Sequence, residues 1–329
     1  LKNFMVCCDW GTTSFRMRLV DNATATILCE IESPKGVASI YDEWKTESNQ
    51  ANRLTYYLDF LESMMVQLFE QSGEVDDGIP LLLSGMASSS IGMKDLDYAN
   101  TPFLLSGNQL VTEWIPSDRR KVLLISGLRC TADVMRGEEV QLLGMEADIS
   151  QTISRGKGLV LLPGTHSKHV VIERGKVVEF STFLTGELFD VLSHHSLLKD
   201  SVDTSTSVDL SVDQTSFKEG VLASFHKEIT SALFEVRINQ LFNKKTKQEN
   251  TAFLSGLLLG AELKYLREDV EYNYILVSCG PKLLPLYESA FEVLSLHQPV
   301  KCIPAEDMDG LTVKGQLKIA ALHFKTILY

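Results

Sequence analysis

Residues 4–20 constrain this chain more than any other stretch. Phe4-Met5-Val6-Cys7-Cys8 is continuously apolar, as a strand buried on both faces is. The run ends on Asp9 and turns through Trp10-Gly11-Thr12-Thr13-Ser14. Phe15-Arg16-Met17-Arg18-Leu19-Val20 then alternates like a half-exposed partner strand. Gly11 frees the turn sterically, while Thr12, Thr13 and Ser14 offer hydroxyls and backbone N–H groups to an anion. Asp9, at the mouth, is placed to hold a magnesium ion through its water shell. A second hairpin of this kind lies halfway along: Leu159–Leu162 leads into Pro163-Gly164-Thr165-His166-Ser167, and Lys168-His169-Val170-Val171-Ile172 returns. One such turn is an ordinary turn. Two, in the two halves of one chain and with an acid closing the first strand, imply a nucleotide gripped between two domains. Neither G-x-x-x-x-G-K-[ST] nor a G-x-G-x-x-G fingerprint after a strand occurs, so phosphate binding here uses hairpins rather than a glycine loop capping a helix.

The 329 residues suffice for two domains with separate cores, and 44% hydrophobic with 22% charged residues is a globular composition. A formal charge of −12 argues against nucleic acid or an anionic membrane as the main partner, because both require a basic face. No signal peptide is expected, since the first apolar run is short and ends on an acid. The apolar stretch from Ala252 to Ala261, interrupted by Ser255 and two glycines before Glu262, is too short to cross a membrane. The six cysteines show no C-x-x-C pair or zinc spacing, which suits reduced thiols in a cytoplasmic protein. Vicinal Cys7-Cys8 reads as a pair of small apolar core residues.

The first half predicts three strands, near 3–9, 14–20 and 25–31, then a helix over 51–70 with Leu54, Leu58, Leu61, Met65 and Leu68 on one face. Strands ending in Ser-Gly follow at 80–85 and 122–127, and Asp133 reads as the N-cap of a helix running to about 146. The second half restates the plan, with strands near 158–163, 168–173 and 176–183, helices between 186 and 267, strands at 274–279 and 299–303, and a closing helix. Two copies of βββαβαβα imply a duplicated α/β architecture, with domains at 1–147 and 148–329 and a cleft between them. The Ser/Thr/Asp/Val-rich stretch 200–216 reads as an exposed, mobile loop. The histidines make a poor metal site: His166 and His169 fall on opposite faces of a strand, and adjacent His194 and His195 cannot point the same way on a helix.

This plan resembles the sugar kinase, Hsp70 and actin superfamily, whose domains are ribonuclease H-like (actin-like ATPase) folds. Within it the chain resembles the 2-dehydro-3-deoxygalactonokinases nearly end to end. The likeness rests on Asp9-Trp10-Gly11-Thr12-Thr13, Ser33-Pro34-Lys35-Gly36-Val37, Leu83-Ser84-Gly85-Met86 and Asp133-Val134-Met135-Arg136-Gly137-Glu138-Glu139. It continues through Pro163–Lys168, Leu184-Thr185-Gly186-Glu187-Leu188, Leu233-Phe234-Glu235-Val236-Arg237 and Phe253-Leu254-Ser255-Gly256-Leu257.

The resemblance implies a cytoplasmic carbohydrate kinase of galactonate catabolism. It would transfer the terminal phosphate of ATP to the 6-hydroxyl of 2-dehydro-3-deoxy-D-galactonate, with Mg2+. Residues 1–147 would be the sugar and γ-phosphate/metal side and residues 148–329 the nucleotide side. Asp9, Gly11, Thr12 and Thr13 would serve metal and γ-phosphate, with Asp9 both catalytic and metal-organising. Gly164, Thr165 and Lys168 would hold the β-phosphate. Gly280 after the strand at 274–279 would let adenosine approach the backbone, although a glycine ending a strand before a helix reads the same way. Lys35, Ser88, Lys94, Arg136, Thr185 and Glu187 lie in sugar-facing family segments, and Lys35 or Lys94 would meet the substrate carboxylate. Glu138 is the candidate base, since a carboxylate opening this helix faces the acceptor hydroxyl in the superfamily; Glu139 and Asp133 stay open as alternatives.

Two departures from the family pattern concern the sugar and the second hairpin. Ala87-Ser88-Ser89-Ser90-Ile91-Gly92-Met93 replaces a loop that usually carries Gly-Ser and then Gly-Trp, and His169 replaces an aromatic. The rival readings are a kinase for another sugar or sugar acid, or a non-kinase ATPase such as a chaperone or filament protein. A nuclease of related fold would need several carboxylates on the first sheet. The partners implied are a sugar acid and ATP, and the oligomeric state is open, a homodimer among the options.

Overall fold

In this computed structural model, residues 4–47, 52–153, 156–205, 208, 210–268 and 272–324 are described. Two compact units form, one from residues 1–154, 175–179 and 306–329, the other from 155–174 and 180–305.

The first unit is built on β1 (Phe4–Trp10), β2 (Phe15–Asp21) and β3 (Thr26–Ser33), joined as an antiparallel meander. β4 (Leu81–Gly85) runs parallel to β1, β5 (Thr112–Ile115) forms an antiparallel edge, and β6 (Val122–Ile125) lies parallel to β4, giving the order β3-β2-β1-β4-β6-β5. Asp9 therefore sits beside Ser84 and opposite Arg16 at the end where β1 and β4 stop. Trp10 anchors the core below it, stacked on Phe60 at 5.2 Å and edge-on to Phe15 at 5.3 Å. Cys7 and Cys8 are free and buried, and burial pushes the Cys7 thiol up to about 12, as the apolar reading of the pair expects.

Two helices cover this sheet. α1 (Val37–Glu47) is absent from the sequence reading, because only Val37 and Ile40 mark its buried face. α2 (Arg53–Ser72) is the expected helix, capped by the Asn52 side chain at Leu54 N–H and buried through Leu61, Met65 and Leu68. α3 (Glu138–Gly144) starts later than expected. Asp133 does not cap it: the Asp133 side chain accepts the N–H of Val134, and Val134–Met135 pairs antiparallel with Leu128–Arg129 as a short strand. That ladder occupies the backbone groups a helix from 133 would need.

The second sheet repeats the strand order with β7 (Lys157–Leu162), β8 (Ser167–Glu173), β9 (Lys176–Phe183, of which only Phe180 onward groups with the second unit), β10 (Tyr274–Val277) and β11 (Val300–Cys302), arranged β11-β10-β7-β8-β9. Here too the first and second strands are antiparallel and the first and fourth parallel. The helices are α4 (Thr185–His195), α5 (Leu210–His226), α6 (Lys247–Leu263) and α7 (Leu284–Leu294). α5 overturns the reading of 200–216 as a loop throughout. Asp213 and Ser216 are buried, because packing against the apolar α6 outweighs the local polar composition. α8 (Ala305–Phe324) ends the described chain, and from Glu306 it groups with the first unit, whereas one break at 147/148 would put it in the second. Gln316 on α8 fixes it there, its Nε2 donating to the Cys8 carbonyl at 2.7 Å and to Ser84 Oγ at 2.8 Å.

Candidate functional site

The first hairpin is braced largely by backbone, with the Trp10 indole N–H donating to Lys35 O at 3.1 Å. Gly11 N–H donates to Ser14 O at 2.8 Å, and the start of α1 docks on the turn through Val37 N–H to Gly11 O at 3.0 Å and Ala38 N–H to Thr12 O at 3.1 Å. A Cβ on Gly36 would lie 2.2 Å from Thr12 O, so glycine is what allows this approach. With the turn held from behind, Thr12, Thr13 and Ser14 stand exposed. Gly36 was legible only as part of a family segment; its spacing from the hairpin carries no local signal.

Asp9 is partly exposed at the strand's end. Burial is the largest influence on its carboxyl and raises its pKa; Arg18 and Arg16 oppose the rise, and Glu138 adds to it. Space around it is kept by glycines. A Cβ on Gly85 would sit 3.2 Å from Asp9 Oδ1, and one on Gly137 3.9 Å from it. Gly137 has φ +111, a conformation that L side chains avoid, and it forms the N-cap of α3. The two acids that follow part ways. Glu138 is half-buried, whereas Glu139 is fully buried, accepts Gly137 N–H at 2.8 Å, and has its pKa pushed well up by burial and by Glu138. Of the adjacent pair, Glu138 is the more exposed.

The expected sugar-side residues of this unit contact protein. Lys35 Nζ pairs with Glu43 at 2.9 Å, and Lys94 pairs with Glu113. Ser88 is fully buried, its hydroxyl donating to Gly85 O at 3.3 Å and accepting from the Arg136 guanidinium at 2.7 Å. Arg136 also donates to Leu96 O at 3.0 Å and lies 4.0 Å over the Tyr98 ring. Ser88 and Arg136 thus brace the 84–98 loop from inside.

In the second unit the hairpin 163–167 meets the start of α4. Glu187 N–H donates to Thr165 O at 3.1 Å, and a Cβ on Gly186 would fall 2.7 Å from Thr165 Cα. Thr185 and Glu187, expected at the sugar, are therefore packed against the second hairpin: Thr185 Oγ1 donates to Glu262, and the Glu187 carboxylate meets His166 at 2.5 Å. Thr165 is exposed, whereas Lys168 is buried and donates to His166 O at 3.2 Å. A cavity of about 420 Å³ opens beside the hairpin, lined on one side by Gly164, Ser167 and Thr185 and on the other by Leu258, Lys282 and Tyr287. Thr204, Ser205 and Val208 also line it, from the stretch whose composition signals only a loop. A Cβ on Gly164 or Gly280 would meet nothing within 4 Å, so both backbones face open space.

These donors fit the groups that the hairpins imply. Among the described residues no cluster of three or more His, Cys, Asp or Glu forms a metal cage. Asp9, with glycine on two sides, instead offers the sparse carboxylate set that Mg2+ accepts while it keeps most of its waters. The cavity beside Gly164 has the size and mixed lining of a small-ligand site. Among the described residues, no helix is long and apolar enough to cross a membrane.

Two sheets that share the core strand order third-second-first-fourth, each carrying a hydroxyl-rich hairpin between its first two strands, define the actin-like ATPase and sugar kinase class of fold. The chain belongs to the 2-keto-3-deoxy-galactonokinase family, whose profile matches residues 9–316. It is 31% identical over 325 residues to a "Probable 2-dehydro-3-deoxygalactonokinase" of Rhizobium meliloti, covering 97% of this chain and 96% of that protein. It is 31% identical over 225 residues to the 2-dehydro-3-deoxygalactonokinase of Escherichia coli, covering 67% of this chain and 72% of that one. A Sinorhizobium meliloti crystal structure assigned provisionally to the same activity superposes with a TM-score of 0.77 at 29% identity, covering 97% of this chain and 96% of that one.

Proposed function

We propose that this protein is an ATP-dependent 2-dehydro-3-deoxygalactonokinase, phosphorylating the 6-hydroxyl of 2-dehydro-3-deoxy-D-galactonate in the cytoplasm. The observation that carries the reading is a family match running from Asp9 to Gln316, because it includes both hairpins and the Gly137-Glu138 turn.

Phosphoryl transfer asks for positioning and charge stabilisation more than covalent work. In our reading Thr12 and Thr13 receive the γ-phosphate through hydroxyls and backbone N–H groups, and Asp9 orients the hydrated magnesium. Mg2+, when bound, neutralises the charge that develops on the phosphate oxygens. Gly164 and Thr165 take the β-phosphate, and the cavity beside them takes the nucleoside. The acceptor oxygen forms its bond to the γ-phosphorus as the bond from phosphorus to the β,γ-bridging oxygen breaks. ADP departs with that oxygen, and the acceptor's proton passes to the Glu138 carboxylate. The Thr185–Glu187 segment, held on the second hairpin, serves the nucleotide in this reading rather than the sugar.

The test is a coupled ADP-release screen over 2-keto-3-deoxy acids and simple hexoses, with and without magnesium. The galactonate-derived acid is expected to give the highest kcat/KM. A hexose or glycerol phosphorylated faster than every keto-deoxy acid would overturn the substrate, and substrate-independent ATP hydrolysis would favour the non-kinase ATPase.

A further inference from the structure

Beneath the second hairpin lies a buried polar cluster centred on Glu262, whose side chain is 1% exposed. Glu262 closes the apolar helix α6, where the sequence alone gives no reason for a carboxylate to turn inward. Both of its oxygens are engaged. Oε1 accepts from Tyr287 OH at 2.7 Å and from His169 Nε2 at 2.9 Å, and Oε2 accepts from Thr185 Oγ1. Three elements meet on one carboxylate: β8 through His169, the start of α4 through Thr185, and α7 through Tyr287.

Glu262 also fixes which way the hydrogen bonds run. With the Glu262 oxygens as acceptors, the His169 tautomer that satisfies both contacts carries its proton on Nε2, and its Nδ1 accepts from Tyr265 OH at 2.7 Å. Burial raises the pKa of the Tyr265 and Tyr287 hydroxyls, which keeps both protonated as donors. Tyr287 gives its proton to Glu262, leaving its oxygen to accept from Ser167 Oγ, 3.3 Å away. Phe183, 4.3 Å from the His169 ring, closes the cluster from the side. Ser167, Thr185 and Tyr287 are also cavity wall, so the orientation set at Glu262 reaches the ligand space directly.

We propose that Glu262 is a positioning residue for the nucleotide: through Thr185, Tyr287 and His169 it holds the second hairpin and the start of α4 in their binding geometry. The inference rests on the reading that the nucleotide occupies this cavity. Glu262 need not touch the ligand. Its replacement by an isosteric amide puts an N–H₂ donor where two hydroxyls and an imidazole N–H converge, which frees at least one of them to rotate.

Isothermal titration with ADP on the whole chain tests this, using Glu262→Gln, Thr185→Val and the conservative Thr185→Ser. Glu262→Gln and Thr185→Val should each weaken ADP binding by about tenfold or more, the loss of one to two charge-assisted bonds. Thr185→Ser, which keeps the hydroxyl, should bind within about twofold of wild type, and the double variant Glu262→Gln/Thr185→Val should lose less than the two losses multiplied. The sugar-acid KM at saturating ATP should stay unchanged in the single variants. Should Glu262→Gln fail to fold, the Thr185 pair alone decides between the outcomes. Wild-type ADP affinity in Thr185→Val, or equal losses in Thr185→Ser and Thr185→Val, overturns the positioning role. A wild-type protein that does not bind ADP removes the nucleotide reading itself, a result separable from the other two.

Discussion

Glu139 folds back on Gly137, its Oε2 accepting the Gly137 N–H at 2.8 Å. One carboxyl thereby takes up the backbone N–H of the N-cap residue of α3, a glycine that has no side chain to accept the N–H groups beyond it. The bond also fixes the turn that presents Glu138.

Stability should therefore depend on pH through Glu139. Burial raises its pKa in the folded chain well above the ordinary 4.5, so below that ordinary value both folded and unfolded forms hold the proton. As pH rises further the unfolded chain releases its proton while the folded chain keeps it, and stability is lost progressively towards the folded pKa. Glu139→Gln keeps an oxygen for Gly137 N–H and does not titrate. Urea unfolding at pH 5 and pH 8 should show the variant gaining on wild type at the higher pH. Equal pH slopes would show that Glu139 is ionised in the fold.

Glu138→Gln should lower kcat by at least ~10²-fold with ATP affinity near wild type, because proton removal by a positioned carboxylate contributes about that much. Asp133→Asn is the informative partner. Asp133 holds Val134 N–H at 2.7 Å in a turn before the short strand, so its replacement should cost little turnover. Single-turnover rates of the two variants decide the matter. A fast Glu138→Gln beside a dead Asp133→Asn would move the base to Asp133.

Asp9→Asn should separate function from stability. Its carboxyl is held at a desolvation cost that Arg18 and Arg16 offset only in part, so removing the charge should raise Tm at pH 7. Turnover should fall by ~10²-fold or more with loss of the magnesium-orienting group. Paired melting curves and ADP-release rates check both halves; near-normal turnover at saturating magnesium would remove Asp9 from the metal.

The strands and both hairpins were legible because a buried strand writes itself as a continuous apolar run, and β1, β4, β7 and β10 all do. The packing of α8 was not. Gln316 reaches Cys8 and Ser84 across more than 200 residues of sequence, and nothing local records such a contact. The cavity was hidden for the same reason, its wall combining Gly164, Thr204, Leu258 and Lys282 from four separate segments. Lys35 and Lys94 stand in family segments that resemblance places at the sugar, but a segment's place in a family does not reveal a side chain's partner, and these two pair with Glu43 and Glu113.

Two glycines should respond in opposite ways to one added methyl. At Gly36 the new Cβ would lie 2.2 Å from Thr12 O and 2.4 Å from Thr13 N, so backbone must move. Gly36→Ala should destabilise the protein by roughly 1–3 kcal/mol, as overpacking does, and should loosen the hairpin that α1 braces, lowering turnover with it. At Gly280 the Cβ meets nothing within 4 Å, so Gly280→Ala should leave Tm unchanged. If adenosine approaches this backbone the methyl occupies its place, and ADP affinity should fall by about tenfold, a loss near 1.4 kcal/mol. If Gly280 merely ends β10, affinity should not change. Thermal melts and ADP titrations on the two variants therefore choose between the two readings of Gly280, with Gly36→Ala as the standard for what a steric clash does to the fold.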